Sequence, residues 1–405
     1  MSALFTTLFI CLQTLLGTCR CNCPYAQAQS DSKMDDTQMT AGVNGFGFDV
    51  FRTLADSYGC KDIFISPSSL AMALAMTAGG AEGQTYGCMT STMGLGLSGK
   101  EQVAAYFKRL AGDLAAADKD CTLETANSIW IHNSLRVKDG FIRSAEQYYD
   151  AMAASRDFGN PATTAEINRW CSDHTDGKIP FIVKDLSGGL MMALLNALYF
   201  KGSWNFDWRT TDKRDFTACD GNVSKVDMMH TGGHFLYGED ELFQMVELPY
   251  GNASFVLDIL LPKDPAGFKE AVQSLNGARW EAFEGNLSME YVKVALPKFT
   301  MEYDIELTKM LGGLGMGTAF SDDADFSGIS DTPLKISIVK QKTFVEVNEQ
   351  GTEAAAVTFI GMKTTAVGPA RPAKNVIADR PFVFLIRERG TGAVLFVGQK
   401  TQPQK

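Results

Sequence analysis

The chain has 405 residues, of which 45% are hydrophobic and 21% are charged, and its formal net charge is −10. This composition supplies enough apolar material for a large core, and the length allows two or three domains. Proteins that bind nucleic acids or heparin carry a basic excess or a basic stripe, so the acidic charge argues against both as partners.

Residues 1–28 have the pattern of an export segment. Met1–Gly17 is largely apolar, and it is too short and too isolated to predict a membrane span. No Lys or Arg precedes Arg20, which departs from the usual positive start of a signal peptide. Two processing sites compete: Ala26-Gln27-Ala28 has the small-x-small pattern, and Leu16-Gly17-Thr18-Cys19 is similar to a lipoprotein box. We therefore expect an exported protein, either secreted and extracellular or held at the cell surface by a lipid anchor.

The cysteines and histidines do not form a metal or disulfide pattern. Nine cysteines are present, and the five that follow residue 28 are scattered, odd in number and without a Cys-x-x-Cys pair. The sequence thus predicts free, mostly structural thiols. His230 and His234 have a metal-like spacing, but Gly232 and Gly233 between them disfavour a helix and no third ligand is near. We expect no metal and no cofactor. The five cysteines are Cys60, Cys88, Cys121, Cys171 and Cys219.

The first structured elements follow a polar segment. Ser30–Met39 is polar, which predicts a flexible N-terminal segment over residues 29–43 and a folded domain over residues 44–400. Asp62–Leu70 passes from a short strand into a helix, and Pro67 suits the first helical position. An amphipathic helix that ends near Gly59 is predicted from the spacing of Phe46, Val50, Phe51 and Leu54.

Strand patterns dominate the rest of the domain. Thr122–Val137 alternates as a strand does, and a helical stretch follows at Phe141–Ala151. Met191–Phe200 is a continuous apolar run that predicts a buried central strand, and Asn196 within it requires hydrogen-bond partners. Further strands are predicted at Lys335–Val347, Arg380–Ile386 and Val394–Gly398, the last two paired as a hairpin.

No catalytic motif is present. Gly94–Gly99 matches G-x-G-x-x-G, but no apolar strand precedes it and no βαβ unit surrounds it, so it predicts a loop between helices. The sequence has no G-x-S-x-G, no H-E-x-x-H and no P-loop. We therefore do not expect an enzyme.

The segment Val347–Gly368 combines the properties of a loop and of a strand. From Thr352 onwards its charges, Glu353 and Lys363, fall on one parity, and no proline interrupts the segment, which is typical of a strand with one buried face. By local propensity alone, the alanine-rich stretch Thr352–Ala356 favours a loop or a short helix instead. Such a segment can form an exposed loop that is able to insert into a sheet. The uncharged parity contains Thr352, Ala354, Ala356, Thr358, Ile360 and Met362.

The string Glu349-Gln350-Gly351-Thr352-Glu353-Ala354-Ala355-Ala356 resembles the hinge of an inhibitory serpin, a family whose reactive loop inserts into a β-sheet. The resemblance extends from Asn44 to Gln399. It implies an α+β protein with the serpin fold, which has three β-sheets, eight to nine helices and an exposed reactive loop, here residues 349–380. Other family-like strings, in the family's order, are Asp62–Leu70, Ile167–Trp170, Val226–Met229, Glu247–Tyr250 and the C-terminal hairpin.

The resemblance also implies roles for individual residues. A polar cluster, the shutter, is expected beneath the point where the central sheet opens, and Trp204 falls on the tryptophan of the breach, where insertion begins. Gln341 stands where the family has a shutter histidine, and its amide can donate and accept hydrogen bonds but does not titrate. The implied hinge residues are Glu349, Gly351, Thr352, Glu353, Ala354, Ala355, Ala356 and Thr358, and the implied shutter residues are Ser66, Ser69, Asn196 and Gln341.

The function implied by the resemblance is irreversible suicide inhibition of serine endopeptidases, with cysteine endopeptidases as a further target class. In the family, the residue before the cleaved bond lies sixteen positions after the hinge glutamate, which gives Thr365–Ala366. Lys363–Thr364 is the main alternative, and the neighbouring bonds within residues 362–368 stay open. Thr365 would suit an elastase-like protease and Lys363 a trypsin-like one. The alternative function is that of a non-inhibitory serpin, acting as a carrier or chaperone-like binding protein. We expect a monomer that contacts a membrane only if it is lipid-anchored.

Overall fold

The computed structural model describes residues 34–96, 98–186, 189–352 and 372–403. The export segment predicted for residues 1–28 lies outside this part of the chain. The α-helices of the described residues are α1 (Asp36–Tyr58), α2 (Pro67–Ala78), α3 (Gly83–Thr92), α4 (Lys100–Ala117), α5 (Asp139–Tyr149), α6 (Pro161–Asp173), α7 (Phe268–Ser274), α8 (Gly277–Gly285) and α9 (Thr308–Leu311). None of the helices within these ranges is both long and apolar enough to cross a membrane.

The strands are β1 (Ile63–Ile65), β2 (Cys121–His132), β3 (Met152–Arg156), β4 (Met192–Ser203), β5 (Thr210–Thr217), β6 (Val223–Glu239), β7 (Phe243–Pro249), β8 (Phe255–Pro262), β9 (Ser288–Pro297), β10 (Phe299–Glu306), β11 (Ile338–Asn348), β12 (Gly351–Thr352), β13 (Lys374–Ile377), β14 (Phe382–Glu388) and β15 (Val394–Lys400). The predicted strands at Thr122–Val137, Met191–Phe200 and Lys335–Val347 are confirmed as β2, β4 and β11. The predicted C-terminal hairpin is confirmed as β14 and β15, which pair antiparallel.

The strands form two hydrogen-bonded sheets. A nine-stranded sheet has the order β1-β15-β14-β8-β7-β6-β9-β13, with β5 also paired to β6, and a six-stranded sheet has the order β10-β11-β12-β4-β2-β3. Three sheets were predicted, and two of them are continuous here because β6 is 17 residues long. Its first residues pair with β5 and its last with β7, while β9 runs along its other edge. The predicted α+β architecture is confirmed.

Helix α1 begins earlier than the sequence pattern predicted. The Asp35 side chain accepts a hydrogen bond from the Gln38 N–H (2.8 Å), and the Gln38 side chain accepts one from the Asp35 N–H (2.9 Å). This reciprocal capping box satisfies two N–H groups at the helix start. The predicted flexible segment is therefore wrong from Asp36 onwards. The polar residues of this segment predict flexibility, but they form the capped first turn of α1. Met39 and Val43, which follow that turn, are buried.

Strand β4 is apolar from Met192 to Phe200 except at Asn196, because both of its faces are covered. Leu194 and Leu198 belong to the main core, which also includes α1, α2 and the nine-stranded sheet. Ala193 and Leu195 belong to a smaller core with Ile167 of α6. Successive side chains of a strand point to opposite faces, so a strand buried on both sides loses the apolar–polar alternation.

A disulfide joins Cys60, which follows α1, to Cys219 in the β5–β6 hairpin. Their Cα atoms are 5.5 Å apart, although the residues are separated by 159 positions in the sequence. The prediction that all five cysteines are free thiols is therefore wrong for this pair. The spacing of cysteines in a sequence does not reveal pairs that only the tertiary fold brings together. Cys88, Cys121 and Cys171 are not in disulfides.

Removing the disulfide should destabilise the native protein. In the chain-entropy account, a cross-link that closes so long a loop contributes about 3–5 kcal/mol, because it restricts the unfolded chain. We expect the variant Cys60→Ser/Cys219→Ser to unfold at a clearly lower urea concentration than the wild type, as measured by tryptophan fluorescence. Dithiothreitol should shift the wild-type midpoint to that of the variant and leave the variant unchanged. A wild-type midpoint that is insensitive to the reductant contradicts the pairing.

A charged cluster is buried between β7, β8, β14 and α8. The Arg387 guanidinium contacts Glu247, bonds Asp258 Oδ2 through Nε (2.7 Å) and lies 3.0 Å from a Glu284 oxygen. Asp258 is fully buried, and its Oδ1 has no hydrogen-bond partner among the described residues. Burial raises the pKa of Asp258 to about 7 despite the attraction of Arg387. Burial also raises the pKa of Glu284.

This cluster predicts a pH dependence of stability. The folded pKa of Asp258 lies above its ordinary value of 3.8, so between about pH 4 and pH 7 the native state binds more protons than the unfolded state. Native stability should therefore fall as the pH rises through this window. We expect Asp258→Asn to flatten the slope of the urea midpoint between pH 4 and pH 7. Asp323→Asn, at an exposed loop position, serves as the control and should leave the slope unchanged. An unaltered slope in Asp258→Asn would contradict the assignment.

Candidate functional site

The upper end of the six-stranded sheet is the end where β4 and β11 finish. There a turn of the chain lies between these two strands. Strands β4 and β11 lie side by side and parallel, with Ala193–Tyr199 paired to Ile338–Phe344. Above this ladder the chain leaves β11, turns, and returns as β12 between the two strands. There β12 is antiparallel to both, with Val347 opposite Thr352 and Gly351 opposite Ser203. The first residues of the predicted loop thus occupy the position of an additional central strand.

Gly351 is required by the close approach of β12 to β4. Its φ is +141°, in a region that side-chain-bearing residues rarely adopt. A Cβ at this position would lie 2.1 Å from the Gly202 carbonyl oxygen. The hinge glycine therefore permits both the turn and the contact between the two backbones.

Thr352 is anchored by a tyrosine that the sequence did not single out. The Thr352 side chain is fully buried, and its Oγ1 lies 2.6 Å from the Tyr250 hydroxyl. Burial raises the pKa of Tyr250 well above its ordinary value, so the phenol stays protonated and can hydrogen-bond to the threonine. Tyr250 in turn stacks on Trp204, with ring centroids 4.4 Å apart. Tyr250 lies in the family-like string Glu247–Tyr250, which was the available signal.

Trp204 joins this anchor to the end of β11. Its indole Nε1 donates a hydrogen bond to the Asn348 carbonyl oxygen at 2.8 Å. Phe206 and Trp208 pack against it at centroid distances of 5.4 Å and 5.9 Å. The structure therefore places the implied breach tryptophan directly beside the point where the chain turns back into the sheet.

Glu349 is fixed by polar contacts to the neighbouring sheet. Lys298 Nζ lies 2.5 Å from a Glu349 carboxylate oxygen, and the Thr211 hydroxyl donates to the same oxygen at 2.7 Å. Partial burial acts to raise the pKa of Glu349, but the hydrogen bonds from Lys298 and Thr211 outweigh it, and the pKa is lowered. The carboxylate therefore stays ionised and ties the turn to β5 and to the β9–β10 connection. No pattern in the sequence identified Lys298 or Thr211 as a partner of Glu349.

The four implied shutter residues form one buried network. Gln341 and Asn196 are direct neighbours in the β4–β11 ladder, and the Gln341 amide donates to Asn196 Oδ1 at 2.6 Å. Gln341 also accepts from the Ser66 N–H and donates to the Ser66 carbonyl, both at 2.9 Å. Asn196 donates to Ser69 Oγ and to Asn127 Oδ1. Asn127 lies opposite Asn196 on β2 and was not predicted to belong to the network. The strand pattern around Asn127 was the only feature of the sequence that could have indicated it.

The network bridges the strands that must separate if the loop is to insert further. Its Gln341–Asn196 hydrogen bond crosses from β11 to β4, and the Ser66 contacts tie this pair to the start of α2. Separating β4 from β11 removes the cross-strand bond. Because the groups are buried, an unpartnered amide there would cost about 1–3 kcal/mol. The shutter network therefore opposes the separation of β4 from β11.

Several implied site residues lie outside the described part of the chain. The structure resumes at residue 372, and β13 (Lys374–Ile377) joins the nine-stranded sheet next to β9. The two described ends of the loop thus belong to different sheets. The residues not described are the hinge positions Glu353, Ala354, Ala355, Ala356 and Thr358 and the candidate bond positions Lys363, Thr364, Thr365 and Ala366.

The histidine pair lies on a strand. Both His230 and His234 are part of β6, where His230 Nε2 contacts an Asp212 carboxylate oxygen at 2.8 Å and His234 packs against Tyr291. Across the described ranges, no three His, Cys, Asp or Glu side chains are grouped closely enough to hold a metal ion.

Comparison with known proteins identifies the family. Residues 41–403 match the family model described as serpin (serine protease inhibitor). The chain belongs to the serpin family. A serpin-like protein of Thermococcus kodakarensis is 35% identical over 367 residues, which cover 89% of this chain and 85% of that protein. Human neuroserpin is 31% identical over 359 residues, covering 85% of this chain and 87% of its own length.

A solved structure of the same family has the same fold. The thermophilic serpin tengpin in its native state is 31% identical and matches with a TM-score of 0.82, covering 92% of this chain and 96% of its own.

Proposed function

We propose that this serpin is an irreversible suicide inhibitor of serine endopeptidases, and also of cysteine endopeptidases. The observation that supports the proposal most directly is the position of β12. Two residues of the loop already lie between β4 and β11, antiparallel to both, with Thr352 fully buried. The strand that insertion would complete has therefore already begun.

The first step is an ordinary acyl transfer on the protease. The catalytic hydroxyl or thiol of the protease attacks the carbonyl of the loop's reactive bond, the peptide bond breaks, and the new amino terminus leaves with the proton. The loop residue remains joined to the protease as an ester or thioester. The chain on the N-terminal side of the cut is then no longer tied to β13, and it can follow Thr352 into the sheet.

Insertion exchanges one ladder for two. The parallel pairs between β4 and β11 separate, and the inserted segment forms an antiparallel ladder with each of them. Thr352, Ala354, Ala356 and Thr358 share the parity that becomes buried, and their small size suits a tightly packed interior. The protease, still attached, is carried with the strand, and distortion of its active site stops hydrolysis of the acyl bond.

The reactive bond is proposed to be Thr365–Ala366, with Lys363–Thr364 as the alternative. A threonine before the bond suits the small specificity pocket of an elastase-like protease, whereas a lysine suits the acidic pocket of a trypsin-like one.

A carrier function is the second candidate. Human thyroxine-binding globulin, solved in complex with thyroxine, is 26% identical and matches with a TM-score of 0.83 over 92% of this chain and all of its own. The same fold therefore also supports binding without inhibition. The alternate hinge positions from Thr352 onwards carry small, uncharged side chains and the hinge contains no proline, which favours the inhibitor function for this chain.

We further propose that the protein is exported and acts outside the cell as a monomer. The apolar start of the chain and its small-x-small site support secretion, and the lipoprotein-like box supports surface anchoring as the alternative. The Cys60–Cys219 disulfide independently supports an oxidising compartment.

Mixing the protein with elastase and, separately, with trypsin tests the function. An inhibitor yields a covalent complex that survives SDS, with one protease bound per serpin, and mass spectrometry of the released C-terminal fragment identifies the bond. If only cleaved serpin is found with every serine and cysteine protease tried, the result excludes the inhibitor function and supports the carrier function.

A further inference from the structure

A cavity lies at the C-terminal end of the reactive loop, whose residues Asp379 and Arg380 contribute to its lining. The cavity has a volume of about 620 Å³ and lies where the end of α1, the β5–β6 hairpin, α7 and the segment before β14 meet. This volume is within the range of small-molecule sites in proteins. None of its lining residues belongs to the shutter, the breach or the described hinge. The loop-insertion mechanism therefore does not account for the cavity.

The walls of the cavity are mainly apolar. Phe268 and Val272 of α7 form one side, Pro381 lines the cavity from the segment before β14, and the Cys60–Cys219 disulfide contributes to the lining. The disulfide joins two of the four elements that enclose the space. The cavity can therefore keep its shape without a ligand, which suits a largely preformed site.

Two polar groups that line the cavity are incompletely hydrogen-bonded. Gln399 is 1% exposed, and its Nε2 donates to the carbonyls of Gly59 (3.0 Å) and Lys61 (2.8 Å). Its Oε1 is buried and has no partner among the described residues. Arg380 bonds Asp379 and the Pro262 carbonyl through its terminal nitrogens, but its buried Nε–H is likewise without a partner there. Both atoms are shielded from solvent, so in this arrangement the polar groups that the cavity presents to a ligand are few.

The charges around the cavity are already compensated. The Arg380 guanidinium lies 2.9 Å from an Asp379 carboxylate oxygen, and Lys269 Nζ lies 3.1 Å from one of Asp56. Both cations in the lining thus have their own carboxylate. A charged ligand would lose its hydration without gaining a free counter-charge, which is unfavourable in an apolar site.

We propose that this cavity binds a small uncharged, largely apolar molecule. The apolar body of the ligand covers Phe268, Val272 and the disulfide. This binding function is independent of protease inhibition.

Isothermal titration of the full protein with 1-decanol, decanamide and decanoate at pH 8 tests the proposal. We expect saturable binding of one molecule of 1-decanol or decanamide per chain, and at least tenfold weaker binding of decanoate. Absence of saturable binding of both neutral probes overturns the proposal. Tighter binding of decanoate than of 1-decanol overturns the assignment of an uncharged ligand.

Two matched variants locate the binding. Ala266→Trp places a large ring at an exposed position in the lining and should weaken 1-decanol binding at least tenfold. Ala282→Trp makes the same change at an exposed position of α8, outside the lining, and should leave binding unchanged. Circular dichroism checks that both variants are folded. Equal binding by Ala266→Trp and the wild type shows that the probe is held elsewhere and overturns the site.

Discussion

Thr352→Arg is expected to convert the protein from an inhibitor into a substrate. Thr352 is fully buried between β4 and β11 and contacts the Tyr250 hydroxyl. An arginine there must either bury an unpaired charge, which is strongly unfavourable, or keep the hinge out of the sheet. Even about 3 kcal/mol added to the insertion barrier slows insertion by roughly a hundredfold. The acyl bond would then hydrolyse before the protease is trapped.

The experiment compares complex and cleaved serpin on SDS gels at a fixed ratio of serpin to protease. In Thr352→Arg the covalent complex should nearly disappear while the cleaved chain accumulates, with protease binding and cleavage preserved. Glu353→Arg provides the matched control, because the sequence alternation assigns residue 353 to the opposite, charged parity. This control should form complex as the wild type does. An unchanged yield of complex in Thr352→Arg contradicts the insertion mechanism.

Cutting the loop without trapping a protease should raise the melting temperature by about 20 °C or more. About ten new hydrogen bonds at roughly 1 kcal/mol each amount to ~10 kcal/mol, and each kcal/mol shifts the melting temperature of a large domain by about 2–4 °C. The uncut form would then be kinetically rather than thermodynamically stable, because the intact loop prevents the more stable arrangement from forming.

A metalloprotease is suited to make the cut, since it forms no acyl-enzyme and leaves a nicked serpin. Differential scanning calorimetry then compares the nicked and intact proteins. Nicked Thr352→Arg is the control and should show a much smaller gain, because its hinge cannot enter the sheet. If the nicked wild-type protein melts no higher than the intact one, the proposed stored stability of the uncut fold is absent.

The shutter shows how far the sequence could predict the site. Ser66, Ser69, Asn196 and Gln341 were implied by resemblance, and an asparagine inside the apolar run of β4 by itself required buried partners. The structure brings all four together, yet the asparagine directly opposite on β2, Asn127, was not predicted. Strand register is a pairing between segments far apart in the chain, so no local pattern identifies the residue across the ladder.

The loop shows a similar division. Alternation from Thr352 onwards predicted a strand-compatible segment, whereas alanine content favoured a helix or loop. The structure has Gly351 and Thr352 paired as a short strand, because neighbouring strands supply hydrogen bonds that local propensity does not include. The anchors of this strand, Tyr250 and the Lys298–Glu349 ion pair, come from distant elements.

The sequence by itself determined the buried central strand β4, the C-terminal hairpin and the small, uncharged parity of the hinge, because each depends on side chains that are close together in the chain. The fold class was implied by the resemblance of separated strings to one family. Only the tertiary structure decided the Cys60–Cys219 disulfide, the Tyr250–Thr352 anchor and the cavity beside α7. Each of these joins segments that are far apart in sequence, and their contact depends on the packing of the whole fold rather than on any local periodicity.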